Sequence, residues 1–374
     1  MKVILSVESL SRELTGVGRY TLELARRLPE ALCESDELRF HHQQRWLDDP
    51  LRLLSEPIPS IYPSQRLPLW VRNIRRRALR ASWRQQCRSA IFHGPNYFLP
   101  HYADKGVVTI HDMSVLRHPE WHPTERVRQH EKLLQSSLER SQRLIAVSES
   151  TRDEIVALLG YPAENIDVTP LATGPAYRPR EANDTEMLMR RIGLRHAGFT
   201  LCVATLEPRK NIANLIHAYA RLPAGLRLNY PLVLAGSRGW NSQEIYDLIE
   251  KYSKQGWLRY LGYISELELP ILYSAARILA YPSWYEGFGL PVLEAMASGV
   301  PVVASDRTSL PELTHGHALH VPPEDTHALE SAIGRALEDN SWRQEVIVNA
   351  LNTAATYSWD NCIQSTLSTY RKMG

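Results

Sequence analysis

The chain has 374 residues, 44% of them hydrophobic and 22% charged, with a formal net charge of +2; that balance supplies sizeable cores, excludes global disorder, and fits two or three domains at roughly 150 residues each. No uncharged apolar run approaches the roughly 18 residues that span a bilayer, and the opening Met1-Lys2-Val3-Ile4-Leu5-Ser6-Val7-Glu8 meets a carboxylate before a signal-peptide core could form. The four cysteines, Cys33, Cys87, Cys202 and Cys362, are dispersed with no C-x-x-C pair, which speaks against a disulfide framework or zinc site and fits a reducing cytoplasm.

Short β-branched runs alternate with amphipathic stretches, the pattern of parallel sheets covered by helices on both faces. Val3–Val7 reads as a strand, and Gly18–Leu28 as a helix with Tyr20, Leu24 and Leu28 on one face. The charge is uneven: residues 1–180 carry 26 Lys and Arg against 21 Asp and Glu, leaving 17 against 20 for residues 181–374. Much of the excess lies between Arg66 and Arg88, a stretch with eight arginines and no acid. Such a stretch is either a solvated helix face or a surface drawn to anionic headgroups or a phosphate-bearing substrate. Trp70 and Trp83 within it could seat at a lipid interface or belong to a core. No recognition motif accompanies the charge, so nucleic acid is not expected as a partner.

Further along, Val107–Ile110 and Leu144–Val147 read as strands, and Ser148 as the N-cap of a helix with Glu149, Asp153 and Glu154 in its first turns. The proline-rich segment Pro170–Pro179 is the natural hinge. Beyond it come strands at Thr200–Ala204, Leu232–Ala235, Leu258–Leu261, Ile278–Tyr281 and Val300–Ala304, with helices such as Ile212–Arg221 and Pro291–Ser298 between them. The expected fold class is α/β, with two doubly wound domains. Ligands in such folds bind outside the carboxyl ends of the strands, so function belongs to the loops that follow them.

The most informative of these loops is Pro282-Ser283-Trp284-Tyr285-Glu286-Gly287-Phe288-Gly289-Leu290-Pro291, which leaves a strand and opens a helix that continues to Glu294. Gly287 and Gly289 allow a tight turn and close approach of a ligand. The N–H groups of Phe288, Gly289 and Leu290, backed by the helix dipole, suit a sugar hydroxyl or a phosphate oxygen. Two carboxylates beside such a site, Glu286 and Glu294, are tolerable where hydroxyl groups donate to them. Glu207-Pro208-Arg209-Lys210-Asn211 follows another strand, with two adjacent cations and Asn211 placed to cap the next helix.

The Glu286-x7-Glu294 spacing around Phe288-Gly289-Leu290 resembles the signature of retaining, nucleotide-sugar-dependent glycosyltransferases of family 4, which have the GT-B architecture of two Rossmann-like domains. The resemblance extends over essentially the whole chain. It implies that Arg209 and Lys210 clamp the donor diphosphate and that Thr15-Gly16-Val17-Gly18 is the loop facing it. Thr15 replaces the first of the family's usual glycine pair, so only Gly16 carries over. His111, with Asp112 beside it, would touch the donor sugar, while backbone at Tyr263-Ile264 would read the base. Tyr357-Ser358-Trp359-Asp360 and the helix after it look like the family's closing segment. The implied domains are residues 1–172, joined by a terminal helix at about 358–374, and residues 173–357.

The implied reaction moves a hexose from a nucleoside diphosphate to an acceptor hydroxyl with retention, through an oxocarbenium-like state. No D-x-D occurs in the chain, so no metal or other cofactor is expected. Cations and a helix N-terminus would take the metal's place, with Glu286 holding donor hydroxyls. The run from His111-Asp112-Met113-Ser114 to Arg117-His118-Pro119-Glu120-Trp121-His122-Pro123 looks like bacterial O-antigen mannosyltransferases. It points to GDP-mannose, or a GDP-deoxyhexose such as GDP-rhamnose, and to a lipid-linked oligosaccharide acceptor at the cytoplasmic membrane face, with Arg66–Arg88 as a peripheral membrane contact. Four alternatives remain: a UDP-sugar donor, a GT-B nucleotide-sugar epimerase, a non-catalytic subunit of a polysaccharide-assembly complex, and a dinucleotide-dependent oxidoreductase, the last disfavoured by the missing third glycine.

Overall fold

The computed structural model describes residues 1–55 and 81–373. The chain divides into two compact units: Met1–Met113, Glu125–Pro170 and Trp359–Gly374 form one, and Ser114–Thr124 with Leu171–Ser358 form the other. The first unit therefore takes its last helix, Trp359–Arg371, from the end of the chain, and gives up an eleven-residue segment to the second.

Among the described residues the first unit holds β1 (Lys2–Ser6), β2 (Glu37–His42), β3 (Arg45–Leu47), β4 (Ile91–Gly94), β5 (Gly106–Ile110), β6 (Ser141–Ala146) and β7 (Ile166–Val168). They form one sheet in the order β3-β2-β1-β4-β5-β6-β7. Every pairing is parallel except that of β2 with β3. Strand β4, which the sequence reading does not anticipate, is a four-residue run buried throughout at the middle of the sheet. So short an apolar run has no periodicity of its own to mark it. The helix after β1 begins at Gly16, two residues before the expected Gly18, because the Thr15 hydroxyl accepts the Gly18 N–H and caps it.

The second unit holds β8 (Thr200–Val203), β9 (Leu232–Ala235), β10 (Leu258–Tyr260), β11 (Ile278–Tyr281), β12 (Val302–Ser305) and β13 (Leu319–Val321), all parallel, in the order β10-β9-β8-β11-β12-β13. The expected strands at 232–235 and 278–281 and the helix Ile212–Arg221 form with those bounds. The strand expected from Val300 starts at Val302, past Pro301, which has no N–H to give the ladder.

Of the arginine-rich stretch, residues 66–80, Trp70 among them, lie outside the described residues. Residues 81–87 are helical, and Arg84 stands 3.5 Å from Asp104. Trp83 is a core residue, stacked on Tyr102 with ring centres 5.4 Å apart and packed on His41. Among the described residues no helix is long and apolar enough to cross a membrane.

Candidate active site

In an open parallel sheet, the loops that border the point where strand order reverses leave a crevice outside the carboxyl ends. In the second unit that point lies between β8 and β11, because the chain builds outward to β9 and β10 on one side and to β12 and β13 on the other. The loops after β8 and β11 carry the Arg209-Lys210 and Glu286 motifs. The topology thus brings together two sequence segments more than 70 residues apart.

Their side chains form one buried ionic cluster. Oε1 of Glu286 accepts hydrogen bonds from Lys210 Nζ at 2.6 Å, Ser283 Oγ at 2.6 Å and the Tyr281 hydroxyl at 2.9 Å. Oε2 accepts from Nη1 of Arg209 at 3.2 Å. The same guanidinium donates from Nε and Nη2 to Glu207 Oε1 at 3.1 and 2.9 Å, and from Nη1 to the Tyr285 carbonyl at 2.9 Å. Lys210 Nζ also donates to the Tyr281 hydroxyl at 3.0 Å. Burial alone would raise the pKa of Glu286, but the charges of Lys210 and Arg209 and the hydrogen bonds from Lys210 and Ser283 overcome it and hold the carboxyl below its ordinary value. Burial, with the Glu286 charge beside it, pushes the Tyr281 phenol well above its ordinary value, so it remains a neutral donor. Glu207, Tyr281 and Ser283 have no assigned part in the sequence reading. Glu207 was visible two residues before Arg209, but its pairing depends on the turn Pro208–Lys210 that folds it back.

The turn into the next helix is held on both sides. Glu286 N–H donates to Thr308 Oγ1 at 3.0 Å, and Ser309 Oγ donates to the Glu286 carbonyl at 2.9 Å. Gly289 has φ of +104°, and a Cβ there would stand 2.6 Å from Leu310 Cδ2, so both conformation and space require glycine. The helix Leu290–Ala297 follows, with Pro291 in its first turn. Its first N–H groups, like those of any helix, have no partner within it. Phe288 and Leu290 are buried, and Glu294, one turn in, is 2% exposed. Asn211 does not cap its helix with its side chain as expected. It takes a left-handed conformation with φ of +56°, and its amide donates instead to the carbonyls of Pro282 at 3.0 Å and Pro323 at 2.7 Å, tying the two motif loops together. Tyr263 and Ile264 lie on the loop after β10, two strands away from β8, with the Tyr263 side chain exposed.

In the first unit strand order reverses between β1 and β4. Gly16, exposed, follows β1. His111 follows β5 and is half-buried; its Nε2–H donates to the Pro95 carbonyl at 2.7 Å, and its ring meets the edge of Tyr20 at 5.2 Å. Burial lowers its pKa, against the opposing pull of the Pro95 carbonyl and Asp112, so the ring is held toward the neutral form. The Asp112 N–H donates to the Tyr97 hydroxyl at 3.0 Å.

The run from His111 to Pro123, which the sequence presents as one motif, is divided after Met113. Its second part belongs to the second unit. There His118 stacks on Trp121 at 3.9 Å and meets the ring of Tyr285 at 6.0 Å, while Trp240 Nε1 donates to the Trp121 carbonyl at 2.7 Å. Among the described residues no three His, Cys, Asp or Glu side chains are grouped to hold a metal ion.

The chain is similar to known proteins over nearly its whole length. Residues 14–173 match the family model "Glycosyltransferase Family 4", and residues 191–353 match "Glycosyl transferases group 1". The chain is 40% identical to O-antigen chain mannosyltransferase B of Escherichia coli over 380 aligned positions, covering 99% of this chain and 100% of that protein. It is 32% identical to the serotype-specific mannosyltransferase WbdA of Escherichia coli over 72% of this chain but only 34% of that longer protein. Among solved structures, Anabaena Alr3699/HepE in complex with UDP and glucose superposes with a TM-score of 0.78 at 19% identity, covering 99% of each chain. The chain belongs to the group 1, family 4 glycosyltransferases and has their GT-B fold.

Proposed function

We propose that this glycosyltransferase moves mannose, or a deoxy relative such as rhamnose, from a GDP-sugar to a hydroxyl of a lipid-linked oligosaccharide during O-antigen or surface polysaccharide synthesis, with retention at the anomeric carbon. The observation that carries the transfer chemistry is the Arg209–Glu286–Lys210 cluster at the strand-order switch point. The choice of mannose rests on the relatives, whose names include O-antigen chain mannosyltransferase B over its whole length. A lipid-linked acceptor would bring the enzyme to the cytoplasmic face of the membrane. The arginines between Arg66 and Arg88 supply positive charge for that contact.

In this reading the bond from the sugar anomeric carbon to the diphosphate oxygen breaks and a bond from that carbon to the acceptor oxygen forms on the same face. The acceptor proton passes to the departing phosphate. Arg209 and Lys210 receive the growing negative charge without reorganising, since Glu286 and Glu207 already hold them in place; such preorganised charge is most effective where water is excluded. Glu286 and Glu294 accept hydrogen bonds from donor hydroxyls, and the N–H groups of Phe288, Gly289 and Leu290 at the helix start donate to hydroxyl or phosphate oxygens. Gly16 faces the diphosphate, His111 and Asp112 face the sugar, and Tyr263 and Ile264 receive the base. No metal ion or other cofactor takes part.

Release of nucleoside diphosphate, measured over a panel of GDP- and UDP-sugars with and without a lipid-linked acceptor, tests the reading. Acceptor-dependent release from GDP-mannose or GDP-rhamnose supports it. Release from UDP-sugars alone, donor turnover that ignores acceptor, or no turnover with any donor would replace it by a UDP-sugar enzyme, an epimerase or a silent subunit respectively.

A further inference from the structure

Beneath His111 lies a chain of polar side chains that the transfer reaction does not use, each fully buried. The Tyr370 hydroxyl is 2.6 Å from His93 Nδ1, His93 Nε2 is 2.8 Å from Thr109 Oγ1, and Thr109 Oγ1 is 3.0 Å from the Tyr20 hydroxyl. Thr366, on the same helix as Tyr370, gives its own hydroxyl proton to the Cys362 carbonyl at 2.8 Å. The chain starts on the helix Trp359–Arg371 and runs through β4 and β5 to the helix that opens at Gly16.

Each hydroxyl and both ring nitrogens of His93 thus have a partner, as buried polar groups require, and a neutral imidazole has one N–H donor and one acceptor nitrogen to meet the hydroxyls on its two sides. His93 can take part only as a neutral ring, and burial, with His111 near it, lowers its pKa to about 3.

Two members of the chain, Tyr20 and His93, lie on the segments that hold His111. The Tyr20 ring packs against the His111 ring at 5.2 Å. His93 is followed by Gly94 and Pro95, whose carbonyl takes the His111 Nε2–H. That loop folds tightly back on the end of β4, where a Cβ on Gly94 would sit 2.1 Å from the Phe98 carbonyl oxygen, and it is tied to β5 by the Tyr97 N–H, which donates to the Thr109 carbonyl at 3.0 Å. Nε2 of His111 is thereby committed as a donor, leaving Nδ1 as its acceptor.

We propose that Tyr370, His93, Thr109 and Tyr20 are positioning residues that fix the tautomer and orientation of His111, so that it presents Nδ1 as acceptor to a donor-sugar hydroxyl. The helix at the end of the chain thereby sets the geometry of a group that β5 carries. This rests on the reading of His111 as a sugar contact, and the experiment separates the two.

Thr109→Val removes one hydroxyl at nearly constant volume. It is expected to lower kcat/KM for the nucleotide-sugar by on the order of 10- to 100-fold, as displacement of a substrate-contacting group by up to an ångström does. Thr109→Ser is expected to restore it, and affinity for free GDP is expected to stay unchanged, since Arg209 and Lys210 are untouched. Independently of any variant, nitrogen NMR of the histidine-labelled wild-type protein should show His93 as a neutral ring and His111 as the neutral Nε2–H tautomer. A protonated His93, or an Nδ1–H tautomer of His111, at neutral pH overturns the proposal whether or not Thr109→Val folds. So does full activity of folded Thr109→Val when His111→Ala is inactive. Full activity of His111→Ala removes instead the reading of His111 on which the proposal stands.

Discussion

Lys210 Nζ and Glu286 Oε1 lie 2.6 Å apart, with their side chains 10% and 8% exposed, at the ends of two loops that sequence separates by most of a domain. Neither would be stable there alone, because a buried charge without its partner is far more costly than the pair. Each therefore accounts for the other, and Arg209 on the opposite carboxylate oxygen completes the set.

Glu286→Gln keeps the shape of the side chain while removing its charge. It should reduce kcat by at least on the order of 10²–10³, with circular dichroism unchanged. Lys210→Met should do the same and also lower stability, by less than the roughly 3–5 kcal/mol of a fully broken buried pair, because Arg209 still faces the carboxylate. Turnover within a few-fold of the parent in both variants would refute the assignment of this cluster to diphosphate departure.

Acid should weaken the fold through the same carboxyl. Its pKa in the folded protein is below the ordinary 4.5, burial opposing and Lys210 and Arg209 prevailing. The unfolded chain then binds the proton first, so the stabilisation is complete above that ordinary value and is lost as pH falls through the lower folded one. Urea titrations of wild type and Glu286→Gln should differ by a constant amount between about pH 5 and 8, and the gap should narrow below that range. A gap that widens on acidification contradicts the lowered pKa.

For His111 the direction follows from burial, which lowers its pKa from the ordinary 6.5 against the Pro95 carbonyl and Asp112. Its neutral form is the acceptor, and that form persists below pH 6.5. The acid limb of the pH profile of kcat/KM for the nucleotide-sugar should therefore fall below 6.5 and disappear in His111→Ala. A limb at or above 6.5 that His111→Ala leaves in place assigns it to another group.

Gly289→Ala combines a left-handed backbone with a Cβ 2.6 Å from Leu310. It should destabilise the second unit by roughly 1–3 kcal/mol and depress turnover, as followed by thermal melting and by nucleoside diphosphate release. Leu310→Ala on its own is destabilised by the cavity it leaves at a fully buried site, so the comparison is made in that background: there the contact is relieved but not the φ angle, and adding Gly289→Ala should cost less than in the parent but not nothing. A cost of zero in that background would show that space alone sets the requirement.

Turnover should also persist in EDTA. Loss of activity with the chelator and its return with magnesium would transfer the role given to Arg209 and Lys210 to a metal ion.

How far the sequence foretold this molecule depends on the range of the interactions involved. The strand Ile278–Tyr281 and the helix Ile212–Arg221 form as expected because short apolar and amphipathic patterns encode them locally. The motif loops were legible for a similar reason: Gly289 and Pro291 mark a strand-to-helix turn in any fold. What the sequence withheld is which elements meet. Strand β4 is central only because β1 and β5 flank it. Asn211 looked like a cap until two distant carbonyls competed for its amide. The segment Ser114–Thr124 joins the second unit because Trp240 and Tyr285 lie there to receive it. Glu207 sat beside Arg209 in plain view, but its partnership required the backbone to turn first.

The return of the helix Trp359–Arg371 to the first unit has a consequence in time. His93 is synthesised early, while the hydroxyl of Tyr370 that faces it emerges only after the whole second unit has been made. At about 5–20 residues per second, a nascent first unit would wait on the order of ten seconds or longer with His93 Nδ1 still lacking its hydroxyl partner. During translation the second unit is then the first able to reach its finished state. Protease protection of stalled nascent chains that appears in the first unit before Tyr370 emerges would contradict that order.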